Sequence, residues 1–501
     1  MSTTAVERRS VREGLLVAPA LGVTAAIGYL SATTLPDIAG KPWHEDEAVA
    51  GLIASRPLPD VLHTVLLDRG GAPLHFVLAH FAFAGDGSPR TLRWLSLVFA
   101  LATIPLCYDL ARRLSGRFAG LTAAALTATS QLLGIYATFG RMYSLFAFAS
   151  ALALDLFVRA LSRPTRGTIA AATAAALLPI LVHPFGVFVF GAELAVALWR
   201  WRLRALPVAL LALPLVLPYL RLPARYDPQT GMWAPGAALR ALAGSAGGWG
   251  VGLAVFAVFA AVGAWTLPRA FTALGLLLVA APTSLLAAFG DELSPRHLIF
   301  MLPVWTTFVA AGLARMPARA AVVAAALGIA LLAPAAVADP RTSSANVSAA
   351  AAWVRDNVRP GDALYPYSPV FLAALPRRSV ALPREPVALH RLLGRTHGIR
   401  RTLVAIPQGD HWSVLVVTGP FTNVPAALAR ASRNLHGIAR AAVLQLYLAA
   451  DESLARLRSE DSRLDGRPGK ARASSVRLRR VGAYATSTST DGTSPQRSSS
   501  R

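Results

Sequence analysis

Apolar runs of span length, separated by short polar loops, fill the first two thirds of the chain. They fall at 15–35, 92–110, 119–137, 143–161, 168–183, 184–199, 205–220, 249–266, 271–289, 298–314 and 320–338. Runs of roughly 17 to 20 residues match the length an α-helix needs to cross a hydrocarbon core. Beyond 338 the pattern changes. Residues 345–358 (NVSAAAAWVRDNVR) have amphipathic helical spacing, DALYPYS, RTLVAIP and WSVLVVTG read as short strands, and 386–396 and 423–436 return to a helical period. From about Arg456 large apolar residues nearly vanish and Ser, Thr and Arg dominate, a composition that builds no core. The expected architecture is a polytopic α-helical membrane protein of about 11 transmembrane helices, followed by a small α/β domain and a disordered basic tail. The segments are an N-terminus at 1–14, a transmembrane domain at 15–338, the α/β domain at 339–455 and the tail at 456–501.

Composition agrees with this reading. Of 501 residues, 54% are hydrophobic and only 15% charged, where a soluble domain carries about 25% charge. The first run follows Arg8, Arg9 and Arg12, as a signal peptide would, yet it is long for a signal core and further spans follow. A retained first helix is therefore expected. The net charge of +23 is no argument for nucleic acid, because the Arg residues sit in short loops and the tail, and no basic-aromatic module interrupts the spans. The single cysteine, Cys107, excludes an intramolecular disulfide.

Charge also sets the expected topology. Arg112, Arg113 and Arg117, then Arg159, Arg163 and Arg166, then Arg200, Arg202 and Arg204, Arg269, and Arg315 with Arg319 fall on the same side as the N-terminus. The opposite short loops mostly carry one Arg or none, and the longer 221–248 loop, with Arg221, Arg225 and Arg240, is mixed. The positive-inside rule then puts the N-terminus in the cytoplasm and residues 339–501 outside. This arrangement gathers five scattered motifs, HEDEA, GGAPLH, GRMYS, VHPFG and DELSPRH, on the outer face.

Each motif has a chemical and a structural reading. In HEDEA a carboxylate could take a proton from an attacking hydroxyl, and adjacent carboxylates repel, which favours a usable base; equally, acids cap a helix N-terminus. His75 and His80 are five apart, which is not the i, i+4 spacing of two metal ligands on one helix face. Arg141 with Tyr143 could bind a lipid phosphate or anchor a span at the interface. His183 precedes a Pro between two spans and suits a structural hydrogen bond. Arg296 and His297 open a late span beside Asp291 and Glu292, so Arg296 either meets a phosphate or pairs with an acid. There is no Walker loop, no G-x-G-x-x-G after a strand and no Cys/His zinc spacing.

The order W-x-x-DEA, PLHFVLAHFAFAGDGSPRTLRW, FGRMYSL and PRHLIFMLP resembles the GT-C superfamily of integral-membrane glycosyltransferases. More narrowly it resembles the bacterial branch related to protein O-mannosyltransferases and the lipid A aminoarabinose transferase. The likeness is densest over 40–165, weakens over 166–290 and returns at 294–312. The resemblance implies a GT-C-like transmembrane domain that moves a sugar, mannose by analogy, from a polyprenyl-phosphate donor to an extracytoplasmic glycan, lipid or protein acceptor. It implies Asp46 as general base and Glu47 as supporting carboxylate, although Glu45 is an additional acid that leaves the choice open. Arg141 and Tyr143 match the family's Arg-x-Tyr, and Arg296-His297 stands where the family has Arg-Tyr. With His75 and His183 these are the expected substrate-binding residues. No cofactor is expected; a divalent ion on the HEDE oxygens is open chemistry that this branch does not require. Two rivals remain. A lipid or solute transporter or flippase would carry ionisable residues at mid-membrane, and a non-catalytic envelope-assembly scaffold would tolerate loss of Asp46.

Overall fold

A computed structural model describes residues 3–41, 43–68, 72–83, 89–221, 243, 250–289, 295–331, 347–372, 375, 379–396, 398–408, 411–465 and 478–480. Contacts divide the chain into two compact units, Met1–Lys41 with Val49–Asp339, and Pro42–Ala48 with Pro340–Arg501.

The first unit is helical. Its helices are α1 (Thr3–Gly40), α2 (Glu45–Ala54, whose first turn belongs to the second unit), α3 (Leu58–His63), α4 (Leu74–Phe83), α5 (Pro89–Ser115), α6 (Arg117–Ala128), α7 (Gln131–Ala137), α8 (Tyr143–Ser162), α9 (Arg166–Val182), α10 (Gly186–Trp201), α11 (Leu206–Val216), α12 (Val251–Thr266), α13 (Arg269–Phe289), α14 (Leu302–Leu313) and α15 (Ala318–Ala330). Helix occupies each of the eleven apolar ranges. Among the described residues four helices are by themselves long and apolar enough to cross a membrane: Arg90–Ser115, Tyr143–Ser162, Gly186–Tyr219 and Pro295–Leu313. A bent pair, α6 with α7, makes up to five.

The departures from the expected spans have local causes. The run at 119–137 is broken by 57°. There Ser130 turns extended and its side chain accepts from the Leu133 N–H at 3.4 Å, capping a new helix. The runs at 184–199 and 205–220 stay two helices: the chain reverses through Arg202 (φ 55°) and a 3-10 turn at Arg202–Ala205, and α11 packs back on α9, where the Tyr219 hydroxyl donates to the Ile180 carbonyl. The run at 298–314 opens with 3-10 turns from Pro295 to Met301 before α14 begins.

Two contacts show how the helices are held. Gly263 on α12 and Gly312 on α14 lie so close to the opposing backbone that a Cβ on either would strike the carbonyl of Phe308 or Phe259, the small-residue contact that lets membrane helices approach. At the Arg-rich end, Asp109 of α5 pairs with Arg112, with Arg113 at 2.7 Å and with Arg159 of α8 at 2.7 Å. Asp155, fully buried on α8, pairs with Arg159 at 2.6 Å and Arg113 at 3.3 Å. Alternating charges thus tie the ends of α5 and α8 together, with two Arg partners on buried Asp155 and three on partly exposed Asp109.

The second unit is α/β. Its strands β1 (Ala363–Tyr365), β2 (Val380–Ala381), β3 (Arg401–Gln408), β4 (His411–Thr418) and β5 (Leu478–Arg480) form a sheet in the order β2-β1-β3-β4-β5. β1 runs parallel to β2 and β3, while β3–β4 and β4–β5 are antiparallel. Alternation along β3 splits the core in two. Val404 and Ile406 face Leu389 of α18 (Pro386–Leu393), Leu428 of α19 (Val424–Arg433) and Leu446 of α20 (Gly437–Asp465). Leu403 and Ala405 face Val354 of α16 (Ser348–Asn357) and Phe371 of α17 (Pro369–Leu372).

The tail expected to be disordered from Arg456 departs from that reading. Helix α20 continues to Asp465, because Leu454 and Leu457 still pack on the core, and β5 lies further on. The other tail positions, 466–477 and 481–501, lie outside the described residues.

Candidate functional site

Five of the sequence-derived candidates meet in the first unit, although three separate stretches of chain carry them. Tyr143 begins α8, His183 ends α9, and Arg296 with His297 lies in the 3-10 turn before α14. The ring centroids of Tyr143 lie 6.1 Å from His183 and 6.3 Å from His297, and the two imidazoles are 5.8 Å apart. The Arg296 guanidinium sits over the Tyr143 ring at 5.8 Å, within cation–π range. Arg141 and Arg296 are both near enough to act electrostatically on His183. The result is an electropositive cluster of two guanidiniums, two imidazoles and a phenol.

The surrounding chain fixes these groups. Arg141 stands in the turn between α7 and α8. The Ser96 hydroxyl of α5 donates to the Phe139 carbonyl at 2.7 Å and reaches the Arg141 carbonyl at 3.3 Å. Ser144 donates to the Tyr136 carbonyl at 2.6 Å. Two buried hydroxyls therefore pin the turn from both sides. His183 stacks on Phe146, with centroids 5.0 Å apart and planes 19° from parallel. Its Nδ1 accepts from the Phe185 N–H at 3.1 Å, which assigns the ring proton to Nε2 and leaves that atom as the donor. Phe185 also flanks His297 at 5.6 Å. Ser96, Ser144, Phe146 and Phe185 were not singled out in the sequence. A serine or phenylalanine inside an apolar run carries no signal of its own.

His75, on the short α4 between spans, is only 2% exposed. Burial and the nearby Arg141 charge lower its pKa to about 3, so the imidazole is neutral. Its Nε2 is buried without a hydrogen-bond partner among the described residues. His80 has a structural role, its Nδ1 lying 2.9 Å from the Ala54 carbonyl.

The acidic motif behaves differently. Residues 43–48 belong to the second unit, where Trp43 and Ala48 pack with Val347, Ala350 and Val354. Glu45, Asp46 and Glu47 form the first turn of α2, where the helix N-terminus favours negative charge. Glu47 is 1% exposed and its carboxylate accepts the His44 backbone N–H at 3.2 Å, as in a capping box. Glu45 accepts from the Ser368 hydroxyl at 3.3 Å. Asp46 has a side chain 35% exposed and lies 3.9 Å from the His44 ring. Glu47, the expected supporting carboxylate, is thus held within the helix turn. Asp291 and Glu292, the expected rival partners of Arg296, lie outside the described residues. Among the described residues no group of three His, Cys, Asp or Glu side chains could hold a metal ion.

Comparison with known protein families and with curated proteins finds no match. Solved structures do match. ArnT from Cupriavidus metallidurans, in its apo state, superposes with a TM-score of 0.53 at 14% identity, over 84% of this chain and 95% of that one. The Archaeoglobus fulgidus oligosaccharyltransferase, in a complex with Zn and sulfate, gives 0.51 at 14% identity, over 77% and 68%. AglB from the same organism, in complex with an inhibitory peptide and a dolichol-phosphate, gives 0.50 at 13% identity, over 77% and 69%. The chain thus shares its fold with these ArnT and oligosaccharyltransferase structures, in agreement with the resemblance of its motif order.

Proposed function

We propose that this chain is a membrane glycosyltransferase that moves a sugar from a polyprenyl-phosphate donor to an acceptor hydroxyl on the extracytoplasmic face. The observation that carries the reading is the convergence of Arg141, Arg296, His183, His297 and Tyr143 at one end of the helices of a GT-C fold. Such a cluster suits a lipid-linked phosphate, whose oxygens accept from guanidinium forks. That AglB is held with a dolichol-phosphate supports the same class of donor here. No nucleotide fold is then required, because the lipid carrier delivers the activated sugar.

In this reading Asp46 removes the proton from the acceptor hydroxyl as its oxygen bonds to the anomeric carbon. The bond from that carbon to the phosphate oxygen breaks, and its electron pair goes to the phosphate. Arg141 and Arg296 stabilise the charge that grows there. One displacement inverts the anomeric configuration. Among the three acids, Asp46 is preferred because Glu47 is buried on a backbone N–H and Glu45 is engaged by Ser368. Mannose, as the sugar, rests on family analogy.

The test is transfer from radiolabelled polyprenyl-phosphate mannose in membranes carrying wild type, Asp46→Asn or Glu47→Gln at equal protein levels. Asp46→Asn should lower transfer by at least about 10²-fold, the lower range for a general base. Glu47→Gln should act mainly through stability. Equal transfer by wild type and Asp46→Asn removes Asp46 from the role of base. No transfer by any of the three rejects the mannosyl donor.

A further inference from the structure

The opposite, Arg-rich end of the same helices contains a cavity that the proposed reaction does not use. It has a volume of about 390 Å³ and lies between α8, α9, α10 and α11, with Phe157, Thr173, Phe190, Glu193, Trp201 and Arg204 in its wall. That volume is within the range of small-molecule sites. His183 and Phe185 mark the reaction end of α9 and α10, whereas this cavity lies toward Arg166 and Arg200, at the far ends of both helices.

Glu193 makes the cavity more than a packing gap. It is 2% exposed on α10, and among the described residues neither carboxyl oxygen has a hydrogen-bond partner. A buried polar group without a partner costs stability, and an ionisable residue inside a membrane helix is by default a candidate for function. Glu193 is the acceptor the site offers. The rest of the wall is mostly apolar, and Trp199, Leu203 and Leu210 leave the outer surface of these helices lipid-facing.

We propose that the cavity binds a neutral, bilayer-soluble alcohol, with the hydroxyl donating to Glu193 and the hydrocarbon body against Phe157, Phe190 and Trp201. A hydroxyl is the head group this wall accepts: it donates to a Glu193 oxygen and carries no charge, whereas an ammonium or a carboxylate would have to be desolvated in a mostly apolar cavity. The hydrocarbon body matches the apolar wall, and the lipid-facing surface gives a route from the bilayer.

The test is photolabelling of the full-length protein in phosphatidylcholine nanodiscs with dodecanol bearing a diazirine at the chain end. Labelled segments are mapped by mass spectrometry. Saturable labelling of the helices around Phe157, Thr173 and Phe190 is expected, displaced by dodecanol and not by dodecylamine or dodecanoate. Glu193→Leu should weaken it by roughly tenfold, the effect of one buried hydrogen bond. Thr173→Trp fills the cavity from α9 with Glu193 left in place and should abolish labelling. If Glu193→Leu does not fold, Thr173→Trp decides alone. Labelling that does not saturate, that persists in a folded variant, or that the amine or carboxylate displaces better than the alcohol overturns the proposal.

Discussion

Acid should weaken this protein through one imidazole. His75 is buried beside Arg141, and its pKa in the folded chain is about 3 against the usual 6.5. Between those values the unfolded chain binds a proton that the folded chain refuses. Stability is therefore full above pH 6.5, falls as the pH drops toward 3, and levels off below that. The slope is ~1.4 kcal/mol per pH unit. Lowering the pH from 6.5 to 5 should thus cost about 2 kcal/mol through this residue alone. His75→Leu removes the titration at similar volume, and because Nε2 has no partner among the described residues it breaks no hydrogen bond seen there. The assay is thermal unfolding of wild type and variant in detergent at pH 7.5, 6.5, 5.5 and 5. Other titrating groups are common to both proteins and cancel in the difference. The variant should match or exceed wild type at pH 7.5 and gain on it steadily below 6.5. Parallel curves for the two proteins would show that His75 accepts a proton at no cost, and the argument from its burial would fail.

Two further substitutions probe the packing around the two chemical regions. Arg93, 2% exposed on α5, donates to the carbonyls of Ile38 at 3.0 Å and Lys41 at 2.8 Å and so caps the end of α1. Arg93→Met should destabilise by about 3 kcal/mol or more, since charged donors are lost and buried carbonyls are stranded; a thermal melt indistinguishable from wild type would rule the cap out. In the second unit the Tyr365 hydroxyl donates to the Leu446 carbonyl at 2.9 Å and joins β1 to α20. Tyr365→Phe should cost about 1–3 kcal/mol by leaving that carbonyl unpaired, with faster amide exchange in the middle of α20, and unchanged exchange there would count against the link.

What the sequence made legible follows the range of the interaction. Run length and alternation are local, so the helices in the eleven apolar ranges and β1, β3 and β4 of the second unit could be placed from them, while the short α2 and α3 could not. The break at Ser130 was hidden because both sides of it are equally apolar and the cap is a single hydroxyl. Arg93 reads as an ordinary basic residue at the start of a span, since its partners lie 52 to 56 positions upstream. The start of the tail was set at Arg456 from composition averaged over the whole tail, whereas Leu454 and Leu457 still pack on the core and the helix runs on to Asp465.

The candidate site divides along the same line. Arg141, Tyr143, His183, Arg296 and His297 could each be suspected from residue type at a span end, yet each alone fits an interfacial anchor as well. In the structure they share contacts, with the Arg296 guanidinium over the Tyr143 ring that two imidazoles also flank, and the proposed donor site rests on that convergence. For the acids the reverse holds. The residues of HEDEA read equally as chemistry or as a helix cap, and only the family resemblance pointed to Asp46 as base and Glu47 as support. Helix geometry sets the two apart. The residue three positions after His44 can fold back onto that residue's N–H, and Glu47 does so. The side chain one position earlier points elsewhere around the turn, which leaves Asp46 partly exposed to solvent. The capping arrangement that builds α2 therefore separates the two neighbouring acids, holding Glu47 on the His44 N–H and leaving Asp46 partly in solvent, and this difference is what the proposed base assignment rests on.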